Sequence, residues 1–188
     1  MYKRQPKGLL DCAAAYQGIL DQGYEPERIQ FMGESAGGNL CLALGLYCKD
    51  HGIPLPGGMM LLSPSTLDYN FQTMEALLQE HPEDLKLSED IETHRMYIRD
   101  ADPKNPYVAP IYGDFSGFPP VLIQFGGSEF LYRDGVELTY KLMQAGVDVQ
   151  SHCWEYMPHV FTLMLDLLPE AEQGKRELLA YLTRVYQL

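Results

Sequence analysis

The 188-residue sequence has few basic residues, because 14 Lys and Arg stand against 26 Asp and Glu and the formal net charge is −12. A surface with this balance does not neutralise phosphates, which disfavours nucleic-acid binding and docking to an anionic membrane. No apolar run reaches the roughly 18 residues of a membrane span, and the N-terminus lacks the apolar core of a signal peptide. These absences favour a small-molecule partner and predict a cytoplasmic location with no membrane insertion.

Cysteine is also scarce and irregularly spaced. Cys12, Cys41, Cys48 and Cys153 form no CxxC pair and no pattern typical of a disulfide framework or a zinc site. We interpret them as reduced, mostly buried thiols, and we predict no metal site. Disorder and repeat architectures are disfavoured, because 46% of the residues are apolar and 21% are charged. The composition indicates one globular domain over residues 1–188.

Hydrophobic patterning predicts helices that alternate with strands. Apolar residues at three- and four-residue spacing predict a helix, and short apolar runs bounded by Gly or Pro predict strands. The predicted strands lie at 29–32, 58–62, 121–125 and within 147–156, and the predicted helices at 9–20, 36–48, 131–145 and 169–188. This alternation predicts an α/β fold with a mostly parallel sheet of about four strands and helices on both faces.

One glycine-rich motif lies between a predicted strand and a predicted helix: Gly33-Glu34-Ser35-Ala36-Gly37-Gly38. In this context it is typical of the GxSxG nucleophile elbow. The turn is tight, so we expect Ser35 in a strained backbone and a collision with neighbouring backbone for any side chain at 33 or 37. The helix that begins at Ala36 directs its free N–H groups toward Ser35, which makes the Ala36 amide a candidate oxyanion donor. An ordinary N-cap serine is the alternative.

A serine nucleophile needs a base and an acid that orients it. His159 lies in the loop directly after the fourth predicted strand, where open α/β sheets place their sites. Glu129 follows the third predicted strand, which gives the chain order Ser, acid, His expected of this elbow. Asp134 is the alternative acid, although it lies about one turn into the next helix and is expected to point away from the strand end. The alternatives to these roles are a structural loop histidine and surface carboxylates.

Several motifs together resemble the C-terminal part of an α/β-hydrolase of the hormone-sensitive-lipase-like esterase group, from about residue 9 to the end. The landmarks are Asp11-Cys12-Ala13-Ala14-Ala15-Tyr16, the elbow with Asn39-Leu40, Leu61-Leu62-Ser63-Pro64, Ala101-Asp102-Pro103, Ala109-Pro110-Ile111-Tyr112, Phe118-Pro119-Pro120 and Met157-Pro158-His159-Val160-Phe161. The resemblance implies Ser35 as nucleophile, His159 as base, short-chain carboxylic esters as substrates, and neither a metal nor an organic cofactor. The acid in this group is usually Asp, whereas this chain has Glu129.

The same resemblance implies segments that this sequence lacks. The group has a His-Gly-Gly motif upstream of the elbow, which forms the other half of the oxyanion hole, and none occurs here. Upstream strands and part of the cap are also missing, on the order of 100 residues at ~30 per strand and crossover. Residues 1–5 resemble the translation of a sequencing-adapter end, with a natural basic start as the alternative. We therefore expect an N-terminally truncated hydrolase with a partial cap and loop insertion over 66–118. Within it, 71–97 is the candidate lining of an apolar pocket, with plain helical packing as the alternative.

These features predict a serine carboxylic ester hydrolase, inactive or weakly active as an isolated fragment, since loss of one oxyanion donor costs ~10²- to 10³-fold in turnover. A serine peptidase or amidase of the same fold is one alternative. A non-catalytic small-molecule-binding member is another, although such relatives lack the catalytic histidine that is present here. An incomplete gene product would expose the strand at 29–32 and associate through it. Members of the group often dimerise through the last strand and helix, so the resemblance makes 147–156 a candidate homodimer interface.

Overall fold

Among the residues that the structure describes, four parallel strands form one sheet in the order β1-β2-β3-β4. They are β1 (Gln30–Glu34), β2 (Gly58–Leu62), β3 (Val121–Gly126) and β4 (Val149–Trp154). The computed structural model describes residues 7–66, 76, 79, 101–165 and 167–187. The predictions for residues 1–5, and for the pocket lining over 71–97 apart from residues 76 and 79, lie outside the described residues. The predicted α/β fold with a four-stranded parallel sheet is confirmed.

Helices flank the sheet as the pattern predicts. They are α1 (Lys7–Asp21), α2 (Ala36–His51), α3 (Tyr132–Gln144) and α4 (Pro169–Tyr186), with single 3₁₀ turns at Pro26–Arg28, Pro110–Tyr112 and Phe161–Leu163. Helix α2 is longer than predicted, because the left-handed Gly52 (φ 65°) caps it and donates its N–H to the carbonyls of Cys48 and Lys49. Within the described ranges, no helix combines the length and the apolarity that crossing a bilayer requires.

The two faces of the sheet have separate cores. Met59 and Leu61 belong to the larger core with α1, α2 and α3, whereas Met60 packs with Leu122 and Tyr181 of α4 on the other face. Successive side chains of a strand point to opposite faces, so one fully buried strand serves both cores. Connections between parallel strands are right-handed in nearly all proteins. The connection from β1 to β2 and the connection from β3 to β4 run in the same direction across the sheet, so α2 and α3 lie on the same face. The order of strands therefore fixes which helices cover which face.

The four cysteines are free, but the prediction that most are buried is wrong. Only Cys48 is buried, Cys12 and Cys41 are intermediate, and Cys153 is exposed. Cys153 is exposed because it lies on β4, at the edge of the sheet, where a single neighbouring strand covers it among the described residues.

Thiol reactivity should differ accordingly. Burial raises the pKa of Cys41 to about 12 and that of Cys48 to about 11, so both carry very little thiolate at pH 8. Partial burial and the nearby Glu129 and Glu155 carboxylates also raise the pKa of Cys153, so its exposure decides the comparison. We expect iodoacetamide to alkylate the exposed Cys153 well before Cys41 or Cys48 in the native protein. Peptide mass spectrometry over a time course measures this, and guanidinium-unfolded protein, in which all sites should react alike, is the control. Equal native rates would contradict this packing.

Both outer strands present open edges within the part of the chain that the structure describes, since β1 pairs with β2 and β4 with β3. Unpaired strand edges promote association, and Met32 on β1 is 50% exposed. We expect concentration-dependent oligomers in size-exclusion chromatography with light scattering, and we expect Met32→Lys to reduce them. Tyr24→Lys, at a 61% exposed position before β1, is the matched control. A monomer at every concentration would contradict edge pairing, and an unchanged Met32→Lys oligomer would favour an interface at β4 and α4.

Candidate active site

The carboxyl ends of the four strands meet at one edge of the sheet. Ser35, Ser63, Glu129 and His159 follow β1, β2, β3 and β4 in that order. Neighbouring parallel strands are about 4.8 Å apart, so side chains at the ends of adjacent strands are within reach of each other. This is the edge at which open α/β sheets bind their ligands.

Ser35 has the strained backbone that the elbow motif predicts, with φ 49° and ψ −118°. Backbone hydrogen bonds hold it there: its N–H donates to the Leu62 carbonyl at 2.9 Å, and its own carbonyl accepts the Ser65 N–H at 3.1 Å and the Asn39 N–H at 3.2 Å. Ala36 begins α2, and the first N–H groups of a helix have no partner within the helix. The Ala36 amide is therefore positioned as a donor beside Ser35.

The glycines of the elbow differ in whether they leave room for a side chain. A Cβ on Gly33 would lie 2.3 Å from the Gly37 carbonyl oxygen, and one on Gly38 would lie 2.8 Å from Cβ of Pro64. A Cβ on Gly37 would meet nothing within 4 Å. The prediction for Gly33 is confirmed and the one for Gly37 is wrong, because Gly37 contributes its backbone to the tight contact while its own α-carbon faces open space. Glu34, also within the motif, is exposed at the end of β1.

Glu129 and His159 are brought into contact. Nδ1 of His159 lies 3.3 Å from Oε2 of Glu129, whose side chain is completely buried, whereas 22% of the His159 side chain is exposed. The ring of Phe130 packs against the imidazole with 5.1 Å between centroids. A buried carboxylate beside Nδ1 fixes the orientation of the ring.

The alternative acid, Asp134, has a different position. Its Oδ2 accepts the Thr66 N–H at 2.6 Å, and its side chain is buried in the first turn of α3. Asp134 thus holds the chain that leaves β2, contrary to the expectation that it points away from the strand ends. The sheet order explains this, because β2 is the neighbour of β3 and its end lies beside the helix that follows β3.

Sequence reasoning missed Ser63. Its hydroxyl donates to Oε2 of Glu129 at 2.6 Å and accepts the Val160 N–H at 3.0 Å. The available signal was a polar residue directly after an entirely apolar strand, in Leu61-Leu62-Ser63-Pro64. Its hydrogen-bond partners lie far along the chain, so the signal could not name them.

Ser35 and His159 are not hydrogen-bonded to each other in the described part of the chain, in contrast to the His159–Glu129 pair. Catalytic hydrogen bonds are often long in ligand-free sites and tighten when substrate binds.

Among the residues that the structure describes, no three His, Cys, Asp or Glu side chains lie close enough together to bind a metal ion. A groove of about 650 Å³ lies apart from Ser35, Glu129 and His159 and is lined by Ile111, Tyr112, Val136, Glu137, Tyr140, Lys141 and Gln144.

This chain is similar to known proteins in both sequence and structure. A family model described as an alpha/beta hydrolase fold matches residues 2–163. An acetyl-hydrolase of Streptomyces hygroscopicus is 33% identical over 90% of this chain and 56% of its own length. A crystal structure of an esterase/lipase from an uncultured bacterium superposes with a TM-score of 0.89 at 29% identity, covering 98% of this chain and 62% of that chain.

A second crystal structure, of an esterase from the bacterial hormone-sensitive lipase family, has a TM-score of 0.82 at 33% identity and covers 92% of this chain and 58% of that chain. The chain therefore spans less than two thirds of the length of each of these three proteins.

Proposed function

This chain belongs to the α/β-hydrolase family, in its hormone-sensitive-lipase-like esterase group, and we propose that it is a serine carboxylic ester hydrolase for small or short-chain esters. The observation that carries the proposal is the contact between His159 Nδ1 and buried Glu129 at the sheet edge where the strained Ser35 turn lies. Relatives described as an acetyl-hydrolase and an esterase support the substrate class.

The mechanism assigns one role to each side chain. Nδ1 of His159 faces Glu129, which leaves Nε2 to accept the Ser35 hydroxyl proton as the serine oxygen attacks the ester carbonyl. The alcohol leaves with that proton and an acyl-enzyme remains. A water molecule then gives a proton to His159 and attacks the acyl carbon. The bond from the acyl carbon to the Ser35 oxygen breaks, His159 returns the proton to that oxygen, and the acid is released. Glu129 offsets the positive charge of the imidazolium in both halves of the reaction, acylation and deacylation.

Charge on the tetrahedral oxygen needs donors that are already in position. In this chain the Ala36 amide at the start of α2 is the candidate. No His-Gly-Gly sequence occurs in the 188 residues to supply the group's other donors. With Ala36 alone, we expect turnover ~10²- to 10³-fold below that of a site with a complete oxyanion hole.

The test compares p-nitrophenyl acetate and butyrate with the corresponding p-nitroanilides, alongside covalent labelling by a fluorophosphonate. We expect labelling and slow ester hydrolysis, with the anilides untouched. Faster anilide than ester hydrolysis would replace the proposal with an amidase. A folded protein that neither labels nor turns over, but binds the esters in calorimetry, would favour a small-molecule-binding protein.

A further inference from the structure

We propose that Ser63 is a positioning residue of this site, whose hydroxyl fixes the Glu129 carboxylate and the backbone beside His159 in one arrangement. The inference rests on the proposed function, since it concerns how the same triad is held. Nothing in the elbow or histidine motifs points to it.

The first support is geometric. Ser63 lies directly after β2, between the strand that leads to Ser35 and the strand that leads to Glu129, and is 1% exposed. Its hydroxyl donates to Glu129 Oε2 at 2.6 Å while it accepts the Val160 N–H at 3.0 Å. A hydroxyl has one proton and two lone pairs, so both bonds form together. One oxygen atom thus joins the acid to the residue that follows the base.

The second support is backbone strain at both ends of this connection. Ser63 has φ 45° and Val160 has φ 56°, a region that residues with a side chain rarely occupy. The Ser63 N–H donates to the Gln124 carbonyl at 2.7 Å, which anchors its backbone to β3. Such conformations persist only where the surrounding structure holds them, and they cluster at functional sites.

The third support is the environment of the carboxylate. Oε1 of Glu129 is buried and has no hydrogen-bond partner among the described residues. Oε2 carries the contacts to Ser63 and His159. Glu has one more rotatable bond than the Asp usual at this position in the esterase group, so its carboxylate has more freedom to lose. The short charge-assisted bond from Ser63 removes that freedom.

The test is a double-mutant cycle on ester hydrolysis. We expect Ser63→Ala to lower kcat by roughly 10- to 100-fold, the range that corresponds to one hydrogen bond to a charged group, with little change in KM. In a Glu129→Gln background the same substitution should cost much less, because the carboxylate through which Ser63 acts is gone. Ser63→Gly, which tolerates positive φ, should reproduce the result without added backbone strain.

The matched control is Ser151→Ala, which removes another hydroxyl pair, the 2.7 Å contact with Thr139 on the same face of the sheet as α3. It should leave kcat within about twofold of the wild-type value. Equal losses for Ser63→Ala in both backgrounds, or a loss no larger than that of Ser151→Ala, would overturn the inference.

A readout without turnover separates this inference from the proposed function. The His159 ring proton that bonds to Glu129 should give a low-field ¹H NMR resonance, which we expect to weaken or vanish in Ser63→Ala and in Glu129→Gln. If the resonance is present in the wild type and lost in both variants, but the wild type hydrolyses no ester, the positioning role would stand and the proposed esterase activity would be refuted. Persistence of the resonance in Ser63→Ala would refute the positioning role, whatever the turnover.

Discussion

Ser35→Ala is expected to abolish fluorophosphonate labelling and to lower kcat for p-nitrophenyl acetate by at least about 10⁴-fold, or to the uncatalysed background. The reason is that no acyl-enzyme forms without the serine oxygen, so His159 has no proton to accept in the first half of the reaction. Mass spectrometry of the labelled wild-type protein should find one adduct, on the peptide that contains Ser35.

Two measurements make this result specific. The free energy of unfolding of Ser35→Ala should stay close to the wild-type value, because its backbone bonds to Leu62 and Ser65 involve no side-chain atom. Ser151→Ala should label like the wild type. Labelling or turnover that survives in Ser35→Ala would assign the nucleophile to another residue, and the triad assignment would then be wrong.

The sequence predicts those parts of the site that depend on neighbours along the chain. The elbow follows from a strand, a glycine-rich turn and a helix in direct succession, and Ser35 has the predicted strain. The pattern predicts a strand at 58–62, which are the bounds of β2, because Gly at one end and Ser-Pro at the other bound an apolar run. Local patterns of this kind carry their own physical reason.

Contacts between strand ends could not be predicted in this way. Whether Ser63 reaches Glu129 depends on β2 lying beside β3, and on their register, in which Leu62 pairs with Gln124. The same adjacency brings Asp134 to Thr66, which the helical position of Asp134 alone made unexpected. Local reasoning also misjudged Gly37, because the sequence shows that a turn is tight but not which α-carbon faces the tight side.

Gly33→Ala is expected to destabilise the protein by roughly 3 kcal/mol or more, or to prevent folding. The new Cβ would lie 2.3 Å from the Gly37 oxygen, 2.4 Å from its carbonyl carbon and 2.8 Å from the Gly38 nitrogen. All three atoms are backbone, so no side chain can move aside, and the first turn of α2 must shift relative to β1. At ~2–4 °C per kcal/mol for a chain of this size, Tm should fall by at least about 6 °C.

Gly37→Ala is the matched control because it adds the same methyl group four residues away, at a position where nothing lies within 4 Å. Within the first turn of α2, Ala should leave the free energy of unfolding unchanged or raise it by up to about 1 kcal/mol. Circular dichroism during thermal and urea unfolding measures both variants. Equal Tm values for the two would mean that the elbow yields to a side chain at 33. The close approach of β1 to α2 would then not be what holds Ser35 in its strained conformation.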